Sequence, residues 1–171
     1  MNKKLIGLAF VLLSIMIVSV SAFVYESATQ TVGQTVINVA TITLKNSALG
    51  TIDEGETKSY TKADVPALGA AISITTSKAT VYLHLDSDIQ NLNVTYTTYT
   101  FTVRYITVPG GSSHSVGQTA ATMSIASPDP TAITLDAAGS WAFDFELTTT
   151  AKSVSSDQGT AATIVVTAES T

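Results

Sequence analysis

The chain has 171 residues, of which 45% are hydrophobic and only 12% are charged, whereas soluble domains usually carry about 25% charged residues. Its formal net charge is −5 and Arg104 is its only arginine, so it lacks the clustered cations that nucleic acid requires of a partner. There is no cysteine, which excludes disulfides and cysteine-ligated metals. We therefore expect a surface covered mainly by uncharged Thr, Ser, Asn and Gln, and no nucleic-acid partner.

Residues 1–22 have the zones of a signal peptide. Lys3 and Lys4 precede an apolar run from Leu5 to Val18, and small residues follow up to Ala22. This order predicts export, cleavage after Ala22, an extracellular or cell-surface location and no membrane span in the mature chain.

Two other readings of this segment stay open. The apolar stretch continues through Val24, so an uncleaved membrane anchor is one alternative. A type IV pilin leader cut near Gly7 is the other, but the sequence after Val24 becomes Thr-rich instead of continuing a helical pattern.

Residues 23–44 are predicted to form an N-terminal extension with strand character. From Ala28 to Leu44 the chain has no proline and mostly alternates apolar with polar positions, although Gln34 and Asn38 interrupt the apolar face and Ile37 and Val39 lie on the other face. At about 3.3 Å per residue such a strand would run roughly 50 Å, longer than strands of small sandwiches usually are. Part of it is therefore expected to project beyond its own domain. The apolar row consists of Val32, Val36, Ala40, Ile42 and Leu44.

The sequence pattern of residues 45–171 predicts a single antiparallel β-sandwich with a Greek-key or jelly-roll-like topology. Seven to nine alternating segments are separated by turn signals, and no stretch after residue 28 has helical periodicity. Pro109 to Ser113 is expected to be a flexible loop. The residues predicted to face one core are Val81, Leu83, Phe101, Val103, Trp141, Phe143 and Phe145.

Catalytic chemistry has little support in this sequence. His84 falls on the polar face of a strand and His114 in a Gly/Ser loop, and neither lies in a nucleophile or metalloprotease motif, so both are expected to be surface histidines. The carboxylates of Asp144 and Glu146 alternate with core positions and are expected to solvate an outer strand face. We predict a protein that is not an enzyme and needs no cofactor.

Two local motifs raise weaker hypotheses. His84, Asp86 and Asp88 would share one face of an extended segment and offer hard ligands to Ca²⁺, but no glycine turn or closing Glu completes a calcium loop. An Asp-rich turn is therefore favoured over a metal site. Asn93 begins the sequon Asn-Val-Thr and is predicted to be a glycosylation site near a strand start.

In layout the chain resembles archaeal bundling-pilus subunits and the related TasA/camelysin biofilm-matrix proteins. The features in common are a signal peptide, a long Thr/Val segment from Ala28 to Leu44, a cysteine-free sandwich and a strand close to the C-terminus. The resemblance implies a fibre subunit whose N-terminal strand inserts into the sandwich of a neighbouring copy. The implied partner is the chain itself, in a head-to-tail homopolymer.

Other functions remain open on the sequence. A monomeric or membrane-anchored surface domain, such as an adhesin or envelope component, fits the same pattern, and so does an extracellular module that binds sugar or metal. The surface-domain hypothesis differs from the fibre-subunit hypothesis in one respect. In a surface domain residues 23–44 pack on the sandwich of their own chain, and in a fibre subunit they pack on that of a neighbouring copy.

Overall fold

The computed structural model describes residues 40–156 and 158–170, and within them the alternating segments form antiparallel strands joined by turns and two short 3₁₀ helices. No helix in these ranges is long and apolar enough to cross a membrane. The 3₁₀ helices span Pro66–Leu68 and Ile89–Val94. The strands are β1 (Ala40–Leu44), β2 (Thr57–Tyr60), β3 (Ile72–Thr76), β4 (Val81–Ser87), β5 (Tyr96–Thr107), β6 (Thr119–Ser124), β7 (Ile133–Leu135), β8 (Gly139–Ala151) and β9 (Ile164–Glu169).

The strands belong to two antiparallel sheets. Sheet A has the order β1-β3-β8-β5-β6, and β2 pairs with the later part of β8, beyond the part that pairs with β3. Sheet B has the order β7-β4-β9. β3, β4 and β5 pair with β8, β7 and β6 respectively, so the chain is a long hairpin rolled over two sheets. This nested pairing is the jelly-roll arrangement and confirms the predicted all-β sandwich.

The core lies between the sheets and contains the predicted residues. Trp141 and Phe143 are 1% and 0% exposed, and the Trp141 Nε1–H donates to the carbonyl oxygen of Ala137 at 3.1 Å. Phe145 is only partly buried, with its ring centroid 5.6 Å from that of Phe101. Because each fully buried large side chain stabilises the fold by about 1.5–3 kcal/mol, these alternating rows fix the register of β5 and β8.

Asp144 departs from its predicted role. It lies on the outer face of β8 but is only 7% exposed, because the segment 61–71 folds over it. Its Oδ1 accepts a hydrogen bond from the backbone N–H of Ala70 at 2.8 Å, and its Oδ2 lies 2.7 Å from Lys62 Nζ. The expectation that it merely solvates a strand face is wrong, since it anchors a connection between strands.

The loop that was expected to be flexible, Pro109 to Ser113, is fastened to the end of β7. The carboxylate of Asp136 accepts hydrogen bonds from the Ser112 hydroxyl and from the backbone N–H and hydroxyl of Ser113, the last two at 2.8 and 2.6 Å. These hydrogen bonds hold the pKa of the Asp136 carboxyl well below its usual range.

His114 follows this loop into the edge of the core instead of remaining on the surface. Its ring stacks on Tyr105 with centroids 4.8 Å apart, and its Nε2–H donates to the carbonyl oxygen of Thr134 at 2.9 Å. A partly buried histidine therefore links the β5–β6 connection to sheet B. The sequence interpretation of His114 as a surface residue is wrong for this reason.

Candidate assembly surface

The two sides of the sandwich differ in how well they cover the core. On the side of β6 and β7, Met123, Ile133 and Leu135 are at most 3% exposed. On the side of β1 and β9, the inward-facing aliphatic side chains are only partly buried, although they pack against the same core. We call this surface the β1–β9 seam, and it is lined by Ala40, Ile42, Ile164, Val166 and Ala168.

β9 is an edge strand at this seam. It pairs with β4 along one edge, and no other strand of the described residues is hydrogen-bonded to its second edge. β1 lies close to β9 without joining its sheet. Val165 on β9 is 54% exposed. An edge of this kind offers backbone donors and acceptors to an added strand, and the seam offers it an apolar surface.

Polar contacts hold β9 firmly on β4. His84 Nε2 lies 2.8 Å from Glu169 Oε1. At the other end, Asp88 Oδ1 accepts from the backbone N–H of Thr163 at 2.7 Å, and the Asp88 N–H donates to the Thr163 carbonyl at 3.2 Å. β9 is thus a fixed part of sheet B.

The predicted donor row is divided by the structure. Ala40, Ile42 and Leu44 belong to β1, which pairs antiparallel with β3 of the same chain. Leu44 is 48% exposed. Val32 and Val36 lie outside the described residues, as does the predicted signal peptide.

This pairing corrects the predicted boundary between residues 44 and 45. The sandwich includes β1 and therefore begins by Ala40. A strand already bonded to β3 cannot be donated without breaking that ladder. Residues 28–39 of the predicted donor strand precede β1 and lie outside the described residues.

The three calcium candidates are not assembled into a site. His84 and Asp86 share the outer face of β4, but His84 bonds Glu169 and Asp88 bonds Thr163. Within the described part of the chain, no group of three or more His, Cys, Asp or Glu side chains is placed to hold a metal ion. His84 and Asp86 belong to β4, and Asp88 directly precedes the second 3₁₀ helix.

Asn93 lies in the second 3₁₀ helix, just before the start of β5. The residue is exposed, while Thr95 of the same sequon is 8% exposed. The Asn93 backbone carbonyl accepts a hydrogen bond from Lys152 Nζ. Glycosylation of Asn93 stays a prediction.

Sequence reasoning identified β9 as a strand but did not assign its residues to a site. The alternation of Ala162, Ile164, Val166 and Ala168 was visible, yet it does not say whether the row is fully covered. The exposure of this apolar row depends on which strands lie beside β9, and the order of strands in the two sheets determines those neighbours.

No protein-family model matches this chain, and no curated protein matches it significantly. The fold and the β1–β9 seam therefore show only the structural class to which this protein belongs. It is an all-β, jelly-roll-like sandwich whose core is incompletely covered beside an edge strand.

Proposed function

We propose that this chain is a structural subunit of an extracellular filament that assembles by donor-strand complementation. Residues 28–39 of one copy pair with the outer edge of β9 in the next copy and cover its β1–β9 seam. The observation that carries the proposal is the row of partly buried aliphatic side chains beside the edge of β9. The signal-peptide pattern of residues 1–22 supports export.

The segment 28–39 has part of the alternation that this acceptor requires. Val32 and Val36 lie on one face of an extended chain with Gln34 between them, and the other face, mostly threonine, also carries Ile37 and Val39. Val32 and Val36 can therefore pack on the seam together. Each buried Val contributes about 1.5–3 kcal/mol before the cost of ordering the segment.

Donor and acceptor surfaces differ, so the contact is heterologous and leaves one donor and one acceptor unsatisfied at the ends. Repetition of such a contact gives an open filament. It also covers the edge of β9, which would otherwise be a template for aggregation. A chain without disulfides gains stability from this assembly.

A monomeric or membrane-anchored surface domain, an adhesin or envelope component, is the second candidate. The pairing of β1 with β3 within one chain favours it, because the sandwich already has its own N-terminal strand. In this case the segment before Ala40 would be a linker or anchor and would not pair with a second copy.

A charge placed on one face of the donor segment separates the two candidates. We expect Val36→Asp in the exported full-length chain to abolish filaments seen by electron microscopy, because a buried unpaired carboxylate is strongly unfavourable. The matched control is Thr35→Asp, which adds the same charge on the opposite face and should leave filaments intact. If the wild-type chain forms no filaments, or if Val36→Asp forms them normally, the monomeric candidate is favoured.

A further inference from the structure

The two ends of the sandwich are defined by the connections that join its sheets. β4 ends at Ser87, and the second 3₁₀ helix leads from there to Tyr96, where β5 begins. β7 ends at Leu135, and residues 136–138 lead from there to Gly139, where β8 begins. Because β4 starts opposite Leu135 and ends at Ser87, the two connections lie at opposite ends. We call these ends the β5 end and the β8 end.

β1 and β9 run in opposite directions along the β1–β9 seam. β9 begins at Ile164, which lies opposite Ser87, and pairs antiparallel with β4. It therefore runs from the β5 end to the β8 end. β1 begins at Ala40, which occupies the same register row across β3 as Gly139 of β8. The chain before Ala40 is thus joined to the sandwich at the β8 end, where β9 finishes.

These directions determine how a donated strand meets β9. The segment 28–39 departs from the β8 end of one copy, so the next copy lies beyond that end. When one heterologous contact repeats along a filament, all copies point the same way, and the next copy therefore presents its β5 end. The residues nearest Ala40 then lie at the β5 end of the acceptor, and those nearest Ala28 lie toward its β8 end.

A strand placed in this way runs opposite to β9. We propose that residues 28–39 pair antiparallel with the outer edge of β9 in the next copy. This inference rests on the proposed function and adds to it the direction of the donated strand. Antiparallel strands pair edge to edge through hydrogen bonds perpendicular to both chains.

The length of the segment agrees with this direction. β9 has 6 residues, and a strand of that length spans roughly 20 Å. If residues 31–36 cover it, Val36 lies beside Ile164 and Val32 lies beside Ala168, so both valines face the seam. Residues 37–39 then cross between copies, and fully extended they span about 10 Å. The two sandwiches therefore follow one another closely, end to end.

Parallel pairing leads to a closed assembly instead. A donor parallel to β9 has its C-terminal residues at the β8 end of the acceptor, which brings the β8 ends of two copies together. Each copy then donates to the other across a two-fold axis, and the exchange stops at a dimer. A segment that folds back onto the seam of its own chain also runs parallel to β9, because it reverses direction before entering β1. The direction of the strand thus separates an open filament from both closed forms.

Paired cysteines measure this direction, because the chain has no cysteine of its own. Thr31 and Thr35 lie on the face of the donor opposite to its valines. Thr163 and Thr167 are exposed at the two ends of the outer row of β9. Four residues of strand span about 13 Å, whereas the two Cα atoms of a disulfide lie within about 7 Å of each other. A donor cysteine therefore distinguishes the two positions on β9.

The experiment uses filaments mixed from two mature chains, one with a donor cysteine and one with a β9 cysteine. After mild oxidation, disulfide-linked dimers are quantified by mass spectrometry. We expect the ratio of linkage at Thr167→Cys to linkage at Thr163→Cys to be at least about tenfold higher for Thr31→Cys than for Thr35→Cys. Thr122→Cys, exposed on β6 at the other side of the sandwich, is the control and should link to neither donor cysteine.

Electron microscopy of the same samples keeps the direction of the strand apart from the proposed function. The opposite order of ratios within filaments would refute antiparallel pairing and leave donor-strand assembly standing. The opposite order in dimers or within single chains, without filaments, would refute both. Filaments in which no donor cysteine links to β9 would also refute both, since the donated strand would then lie on another surface.

Discussion

At the scale of single residues, Gly139 occupies a position that no other residue fits well. Its φ is +135°, and a Cβ added there would lie 2.8 Å from the Cβ of Pro109. We predict that Gly139→Ala lowers the free energy of unfolding by about 1–3 kcal/mol, through backbone strain and overlap with the proline ring. Urea denaturation measures this loss. Gly110→Ala is the control, since nothing lies within 4 Å of its added Cβ; a similar loss there would contradict the account.

Asp144 gives a second prediction at this scale. Asp144→Ala should lower the free energy of unfolding by about 1–3 kcal/mol, because the backbone N–H of Ala70 loses its acceptor and Lys62 loses its partner. Asp86→Ala removes an exposed carboxylate from the outer face of β4 and serves as the control in the same denaturation experiment. Equal effects of the two substitutions would mean that Asp144 does not anchor the segment 61–71.

Alternation placed Asp144 on the correct face of β8 but could not show its burial. The period of a strand says to which side of the sheet a residue points. It does not say whether a distant segment folds over that side, and here the segment 61–71 does so. His114 was misjudged for the same reason, since its stacking on Tyr105 depends on where the loop is fastened.

At the scale of elements, the hydrogen bonds between Asp136 and the loop 109–113 lead us to expect that the free energy of unfolding depends on pH. The pKa of the Asp136 carboxyl is lowered in the folded state by hydrogen bonds from Ser112 and Ser113, while in the unfolded chain it is near 3.9. A depressed folded pKa contributes stability that is fully present above the unfolded pKa and is lost as the pH falls below it.

We therefore predict that Asp136→Asn makes the free energy of unfolding depend less on pH between about 5 and 2. Urea denaturation at a series of pH values measures this slope. Part of the slope should remain in the variant, because the pKa values of Glu56 and Asp64 are also lowered by hydrogen bonds, chiefly from the backbone N–H groups of Asp53 and Thr61. Unchanged slopes would mean that Asp136 does not hold the loop by these bonds.

The strands could be predicted to different extents. β4, β5 and β8 have apolar residues at every second position with turn signals at both ends, so their period is distinct. The start of β1 could not be found, because the strand-like pattern from Ala28 to Leu44 contains no proline, and its interruptions at Gln34 and Asn38 do not coincide with Ala40. Only the pairing with β3 marks Ala40–Leu44 as part of the sandwich.

At the scale of the whole molecule, the rolled hairpin explains why one side is open. Pairing of β3–β4–β5 with β8–β7–β6 leaves Met123, Ile133 and Leu135 at most 3% exposed near β6 and β7. β1 and β9 are added outside this hairpin, one to each sheet, and no ladder joins them. The all-β class followed from composition and period, but the open side follows from strand order, which the sequence does not encode locally.

Removal of the segment before Ala40 tests the central claim most directly. The comparison is between the mature chain from Phe23 and a chain that begins at Ala40 and keeps β1, viewed by electron microscopy at equal concentration. We predict filaments from the first and none from the second. A synthetic peptide of residues 28–39 should bind the shortened chain one to one without restoring filaments, because the peptide is not joined to a further acceptor. Filaments of the same form from the shortened chain alone would contradict assembly by a donated strand.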